Sequence, residues 1–349
     1  MKFTFRNLMA LGASALVLSG LSLVLIPRTY SVLDGAPRRD VRFWDLPTGS
    51  HIAYVHLAHT ADHALTPVLY VHGGPGGAVR AEHISALQPL AKLGHDLYFY
   101  DQIGSGQSGR LREVSDYSVA RHCADLRAVI EQIGAAKVIL IGHSWGAVLV
   151  ANYLQTYADD RVEKVVFEVP GPILPINEAL KDQPSDPQLG LVSPAFSNAQ
   201  ANSAASNARV ACVKAAAMHF GFKWASDQEM DSYMDLWNQS LSRSTVCNAD
   251  TKLPEYAGAG YYAHIMTIRS FRNVQNKREA LLNVKVPVLV LKAQCDNQPW
   301  GYAAEYLSLF SNSALGIVEQ AGHNMALEQP RLYVERISAF LADQNEIEP

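Results

Sequence analysis

Gly142-His-Ser-Trp-Gly146 sets a serine between two glycines, directly after the run Lys137–Ile141 and before the helical stretch Ala147–Tyr157. A G-x-S-x-G run at a strand-to-helix turn lifts the serine hydroxyl above the sheet edge. It also puts it near a helix N-terminus, which favours developing negative charge. The glycines permit the tight reversal, because a side chain at Gly142 or Gly146 would collide with neighbouring backbone. Ser144 is therefore the candidate nucleophile. A serine hydroxyl is weak at neutral pH and needs a base, which needs an orienting acid. His323, in Ala321-Gly-His-Asn324 past the run Ala314–Gln320, is the candidate base. Asp296, in Lys292-Ala-Gln-Cys-Asp296 past Val286–Leu291, is the candidate acid, with Glu168 its rival at the end of another run. His323 would take the Ser144 proton and return it to the leaving group, while Asp296 holds the imidazole tautomer. Acyl transfer also needs donors for an oxyanion. The backbone N–H of Trp145 is one candidate. The other is Gly74, in His72-Gly-Gly-Pro-Gly-Gly77, a loop that His72 would fix in place.

Such residues need a sheet whose strand ends share one edge. Val41–Leu46, His51–His59, Pro67–Val71, Asp96–Tyr100, Lys137–Ile141, Val162–Glu168, Val286–Leu291 and Ala314–Gln320 read as strands. Helical spacing over Ser118–Ile133, Ala147–Tyr157 and Leu327–Leu341 alternates with them. The expectation is an α/β fold: a mostly parallel, eight-stranded sheet with helices on both faces. Between about residues 171 and 283 the alternation stops and helical pieces dominate, which predicts a helical cap inserted over the sheet. The core is then 38–170 and 284–345. Ligands of such sheets bind beyond the carboxyl ends of the strands, where Ser144, Asp296 and His323 all fall. Gly104-Ser-Gly106-Gln-Ser-Gly109 fits G-x-G-x-x-G, but no apolar helical stripe follows it, so it reads as a structural loop.

A net charge of -4 without a basic block argues against nucleic-acid binding. No metal or organic cofactor is implied. Lys2 and Arg6 precede an uncharged apolar run from about Leu8 to Ile26. Residues 1–30 therefore read as a signal peptide or uncleaved anchor, implying export to a periplasmic or membrane-anchored location and membrane association through this segment. Of the four cysteines, Cys212 and Cys247 share the cap region and are the candidate disulfide pair.

In combination, His72-Gly-Gly-Pro-Gly-Gly77, Asp101-Gln-Ile-Gly-Ser-Gly106, Gly142-His-Ser-Trp-Gly146, Asp296 and His323 resemble the proline iminopeptidase family of serine peptidases, within the α/β-hydrolase fold. The resemblance implies Ser144, Asp296 and His323 as the triad, Trp145 and Gly74 as oxyanion donors, and a cap that helps remove an N-terminal proline or similar residue from short peptides. That family binds the substrate amine with cap carboxylates, one of them following a tryptophan; here Asn238 follows Trp237. Trp237, Glu229 and Tyr262 are the candidate substrate-binding residues. Asp231, Asp235 and Glu255 are further cap carboxylates. Two chemistries stay open: aminopeptidase action on a small amide, and carboxylesterase or lactonase action on an uncharged substrate. Related enzymes that use an aspartate nucleophile are disfavoured by Ser144.

Overall fold

The computed structural model describes residues 24–31, 38–175, 177–194, 207–255 and 257–343. Most of the candidate leader or anchor therefore lies outside the described residues; among those described, no helix is long and apolar enough to cross a membrane.

The eight strands are β1 (Arg42–Asp45), β2 (His51–Leu57), β3 (Leu65–Val71), β4 (His95–Tyr100), β5 (Val138–His143), β6 (Val162–Glu168), β7 (Val288–Ala293) and β8 (Ser313–Val318). They form one sheet in the order β1-β2-β4-β3-β5-β6-β7-β8. β1 and β2 pair antiparallel with each other, and β2 pairs antiparallel with β4. The pairs from β4 to β8 are parallel.

The central strands are continuously apolar because both sheet faces are covered. Leu69 and Val71, Val138 and Leu140, Val288 and Val290 point into one core. Their strand neighbours Val68 and Tyr70, Ile139 and Ile141, Leu289 and Leu291 point into the other. The first core takes helices α2 (Val119–Ile133), α3 (Trp145–Tyr157) and α6 (Trp300–Leu309). The second takes α1 (Ala81–Leu87) and α7 (Pro330–Leu341). Ser118 starts α2 by accepting a hydrogen bond from Arg121 N, and Gly134 ends it in the left-handed region at φ 72°.

Two longer cap helices are α4 (Asp227–Leu241) and α5 (Tyr261–Phe271). Ser226 caps α4 through Glu229 N at 3.1 Å. The chain before α5 is clamped from both sides. Asp235 accepts from Ala259 N at 2.8 Å and Gly258 N at 3.2 Å, and Gly260 N donates to Gly76 O at 2.8 Å. The glycine-rich loop after β4 has a structural role here. The fully buried Asp101 carboxylate accepts from Val79 N at 3.0 Å and Gln107 N at 2.8 Å and pairs with Arg38. A side chain at Gly106 would overlap that carboxylate.

The disulfide joins Cys247 to Cys295, with Cα atoms 5.2 Å apart, and Cys123 and Cys212 are unpaired. This corrects the expected Cys212–Cys247 pair. Closeness in sequence suggested it, but the fold lays the stretch of cap after α4 on the loop after β7, within disulfide reach. Thiol counting in denaturant without reductant should therefore give two free thiols, falling to one in Cys212→Ser. The double variant Cys247→Ser/Cys295→Ser should lose about 2–4 kcal/mol of unfolding free energy, because the bridge closes a long loop. Three free thiols in Cys212→Ser would refute the assignment.

Candidate active site

Ser144 sits between β5 and α3 with φ 54° and ψ -113°, a strained conformation for a residue with a side chain. Its N–H donates to Glu168 O at 2.8 Å. A Cβ at Gly146 would overlap Val71 O, and one at Gly142 would come within 2.8 Å of Ala147 backbone. The two glycines thus hold the turn as their spacing suggested.

Asp296 and His323 arrive from the loops after β7 and β8. His323 Nδ1 lies 2.7 Å from Asp296 Oδ1, which leaves Nε2 on the far side of the ring. His323 and Ser144 line one cavity of about 230 Å³. The side chain of Asp296 is fully buried. Its Oδ2 accepts from Lys292 Nζ at 2.6 Å, and its Oδ1 also accepts from Gln298 N at 3.1 Å. Burial alone would raise this carboxyl's pKa. The Lys292 ammonium and His323 outweigh that and hold it at about 2.

Glu168, the rival acid, does not meet His323. Its Oε2 is 3.5 Å from His143 Nδ1, and Tyr333 donates its hydroxyl to Oε1. Burial pushes Glu168 up to about 8, against a smaller opposing effect of the Tyr333 hydrogen bond. Burial also drives His143 well below its ordinary value. The contact is therefore between neutral groups at pH 7, and not an ion pair.

The loop His72–Gly77 lies over Ser144. His72 Nε2 accepts from Gln102 N at 2.8 Å and its Nδ1–H donates to Gly73 O at 2.8 Å. Burial lowers the His72 pKa to about 4, which keeps it neutral in this bracing role. Gly74 has φ 138°, and a Cβ there would come within 2.8 Å of Gly76 N. Gly74 lines the cavity, and Trp145 is the first residue of α3, where N–H groups have no intrahelical acceptor. The Trp145 indole donates to Gln102 Oε1 at 3.2 Å, tying the turn to the loop.

The cap covers the cavity with one face of α4, through Met234, Trp237, Asn238 and Leu241 at helical spacing. Trp237 is thus at the site, but the structure does not bring Glu229 or Tyr262 to it. Glu229 is taken up by Arg209, with Arg209 Nη2 donating at 2.7 Å, and by Arg28 N at 3.0 Å. The Tyr262 hydroxyl donates to Ala225 O at 2.8 Å inside the cap. Asp231 pairs with Arg110 at 2.9 Å, and Asp235 holds the chain before α5. Lys292 and Glu328 escaped the sequence reading. Lys292 had a signal, a cation at the end of an apolar strand. Glu328 had none. It accepts from Cys247 N at 2.9 Å, Thr251 Oγ1 at 2.9 Å and Gly322 N at 2.7 Å, joining the cap to the residue before His323.

A family model described as alpha/beta hydrolase fold matches residues 66–330. A proline iminopeptidase of Heyndrickxia coagulans is 25% identical over 282 residues, covering 79% of this chain and 90% of that protein. One from Saccharolobus solfataricus is 35% identical over 88 residues, 25% of this chain and 28% of that protein. Among solved structures, the esterase RhEst1 from Rhodococcus sp. ECU1013 aligns with TM-score 0.59 at 20% identity, covering 87% of this chain and 98% of that one. At that identity the likeness is one of fold.

Removing Lys292 leaves a buried carboxylate without its main counter-charge. Lys292→Met should lower the unfolding free energy by about 3–5 kcal/mol in urea titrations at pH 7; a loss under about 1 kcal/mol would contradict the pairing. Glu168 acts the other way. Its folded pKa of about 8 exceeds its ordinary 4.5, so its contribution is full below about pH 4.5 and is lost as pH rises towards 8. Glu168→Gln should flatten the fall in stability between about pH 5 and 8, and an unchanged slope would count against this.

Proposed function

The chain belongs to the α/β-hydrolase family, and from that premise we propose that it is a serine hydrolase cleaving small esters or amides that carry no free ammonium near the scissile bond. Ser144 attacks the carbonyl, and His323 takes its proton. Asp296 holds the imidazole and stabilises its charged form. The N–H groups of Gly74 and Trp145 receive the oxyanion. His323 then protonates the leaving group, and water resolves the acyl-enzyme by the same steps. The observation that carries the substrate choice is the cavity lining: no Asp or Glu is among the described residues that face it. A partly buried ammonium needs an anionic partner, and Glu229, Asp231 and Asp235 are engaged elsewhere.

A second reading, aminopeptidase action on short peptides, is favoured by the similarity to proline iminopeptidases over most of the chain. It needs a carboxylate that the described lining residues do not supply.

The test is a substrate panel with an active-site probe. A fluorophosphonate should label the wild type and not Ser144→Ala. Short-chain aryl esters should be turned over faster than proline or alanine arylamides. His323→Ala should lower kcat by about 10⁴-fold or more. Arylamide turnover that disappears on acetylating the substrate amine would overturn the choice in favour of the peptidase.

A further inference from the structure

Arg80 lines the same cavity as Ser144 and His323, three residues beyond the Gly-rich loop. Its side chain is about one-third exposed, and its Nη1 is 3.9 Å from Glu82 Oε1, an ion-pair contact longer than a hydrogen bond. Glu82 itself does not face the cavity; its Oε1 accepts from Asn324 Nδ2 at 3.1 Å. His83 faces the cavity as well, one helical turn after Arg80. It is buried at 4% exposure, and neither ring nitrogen has a hydrogen-bond partner. Its ring lies 5.0 Å from those of Tyr70 and His143, and a buried ring nitrogen at a cavity wall can hydrogen-bond a group that enters.

Resting on the serine-hydrolase reading, we propose that Arg80 and His83 form an anion subsite, and that the substrate carries a carboxylate which this subsite holds while Ser144 attacks its ester or amide. The charge balance of the cavity supports it. The described lining has one guanidinium and no carboxylate. Burial is the main reason that His72, His83 and His143 have depressed pKa values, and the Arg80 charge adds to it in all three. The Arg80 charge thus acts on three imidazoles of the lining, and an entering carboxylate would offset it. Arginine suits such a group, because its planar fork binds both carboxylate oxygens. The apolar part of the substrate would lie on Met234, Trp237 and Leu241 of α4. An ammonium in the same place meets repulsion. Arg80 also lines a neighbouring cavity, together with Glu82, Asp101 and Glu255.

The test compares three 4-nitrophenyl esters of similar length: the hydrogen glutarate, the pentanoate and the 4-aminobutanoate. A second pair, 4-carboxyphenyl and phenyl butyrate, puts the charge on the leaving group. One of the two anionic esters should exceed its neutral counterpart in kcat/KM by about tenfold or more, with the gain chiefly in KM. The ammonium ester should be the slowest. Arg80→Gln should bring the anionic-to-neutral ratio close to one, and Arg80→Lys should restore part of it. A ratio unchanged in Arg80→Gln, or a preference for the ammonium ester, would overturn the subsite. Monomethyl glutarate titrated into Ser144→Ala by calorimetry separates this from the hydrolase reading. Binding that weakens in Ser144→Ala/Arg80→Gln supports the subsite even where the wild type turns over no ester. Absence of binding, beside normal turnover of neutral esters, removes the subsite and leaves the hydrolase.

Discussion

A carboxylate kept charged inside the protein is the interaction on which the site depends. The side chain of Asp296 has no exposed surface, and burial disfavours its charge. Lys292, four residues earlier on β7, counters that with an ammonium that is itself buried. The pair leaves Asp296 Oδ1 for His323 Nδ1. Without the lysine, the acid would drift towards the protonated form and could no longer stabilise an imidazolium. Glu168 shows what happens to a carboxyl at a neighbouring strand end with no cation beside it: burial takes it to about 8. Two acids with similar burial thus end on opposite sides of neutrality, and only one can orient a base.

The same logic sets the sign of the cavity. Burial keeps His72 and His143 neutral, and Glu168 beneath His143 is uncharged at pH 7. Three carboxylates of the cap, Glu229, Asp231 and Asp235, are spent on structure, on Arg209, Arg110 and the backbone before α5. The guanidinium among the described lining residues is that of Arg80, which also pairs with Glu82 at 3.9 Å.

Much of this was legible in the sequence, for reasons that are local. The strands β3, β5 and β7 are buried on both faces, so each is a continuous apolar run, and their ends fell within about two residues of expectation. The turn at Ser144 was readable because only glycine fits at its flanks. The cap's side-chain pairing was not readable. Glu229 looked like a free carboxylate on a helix because nothing in its spacing points to Arg209, twenty residues away in an element of its own. Cys247 likewise pairs with Cys295 across 48 residues. Such partners are set by how the cap lies on the body, a tertiary fact that periodicity does not encode.

That placement also couples the cap to the chemistry. Cys247 is bonded to the residue directly before Asp296, and Glu328 gathers Cys247, Thr251 and Gly322 around one carboxylate. Asn324 N donates to Thr245 O at 3.1 Å. The stretch of cap that follows α4 is therefore fastened to both loops that carry the acid and the base. The apolar wall of the cavity is the α4 face just before it. A shift of α4 to admit a larger substrate would pull on these fastenings and disturb the Asp296–His323 geometry. The apolar wall of the cavity and the two loops that bring Asp296 and His323 together are thus held by one set of contacts.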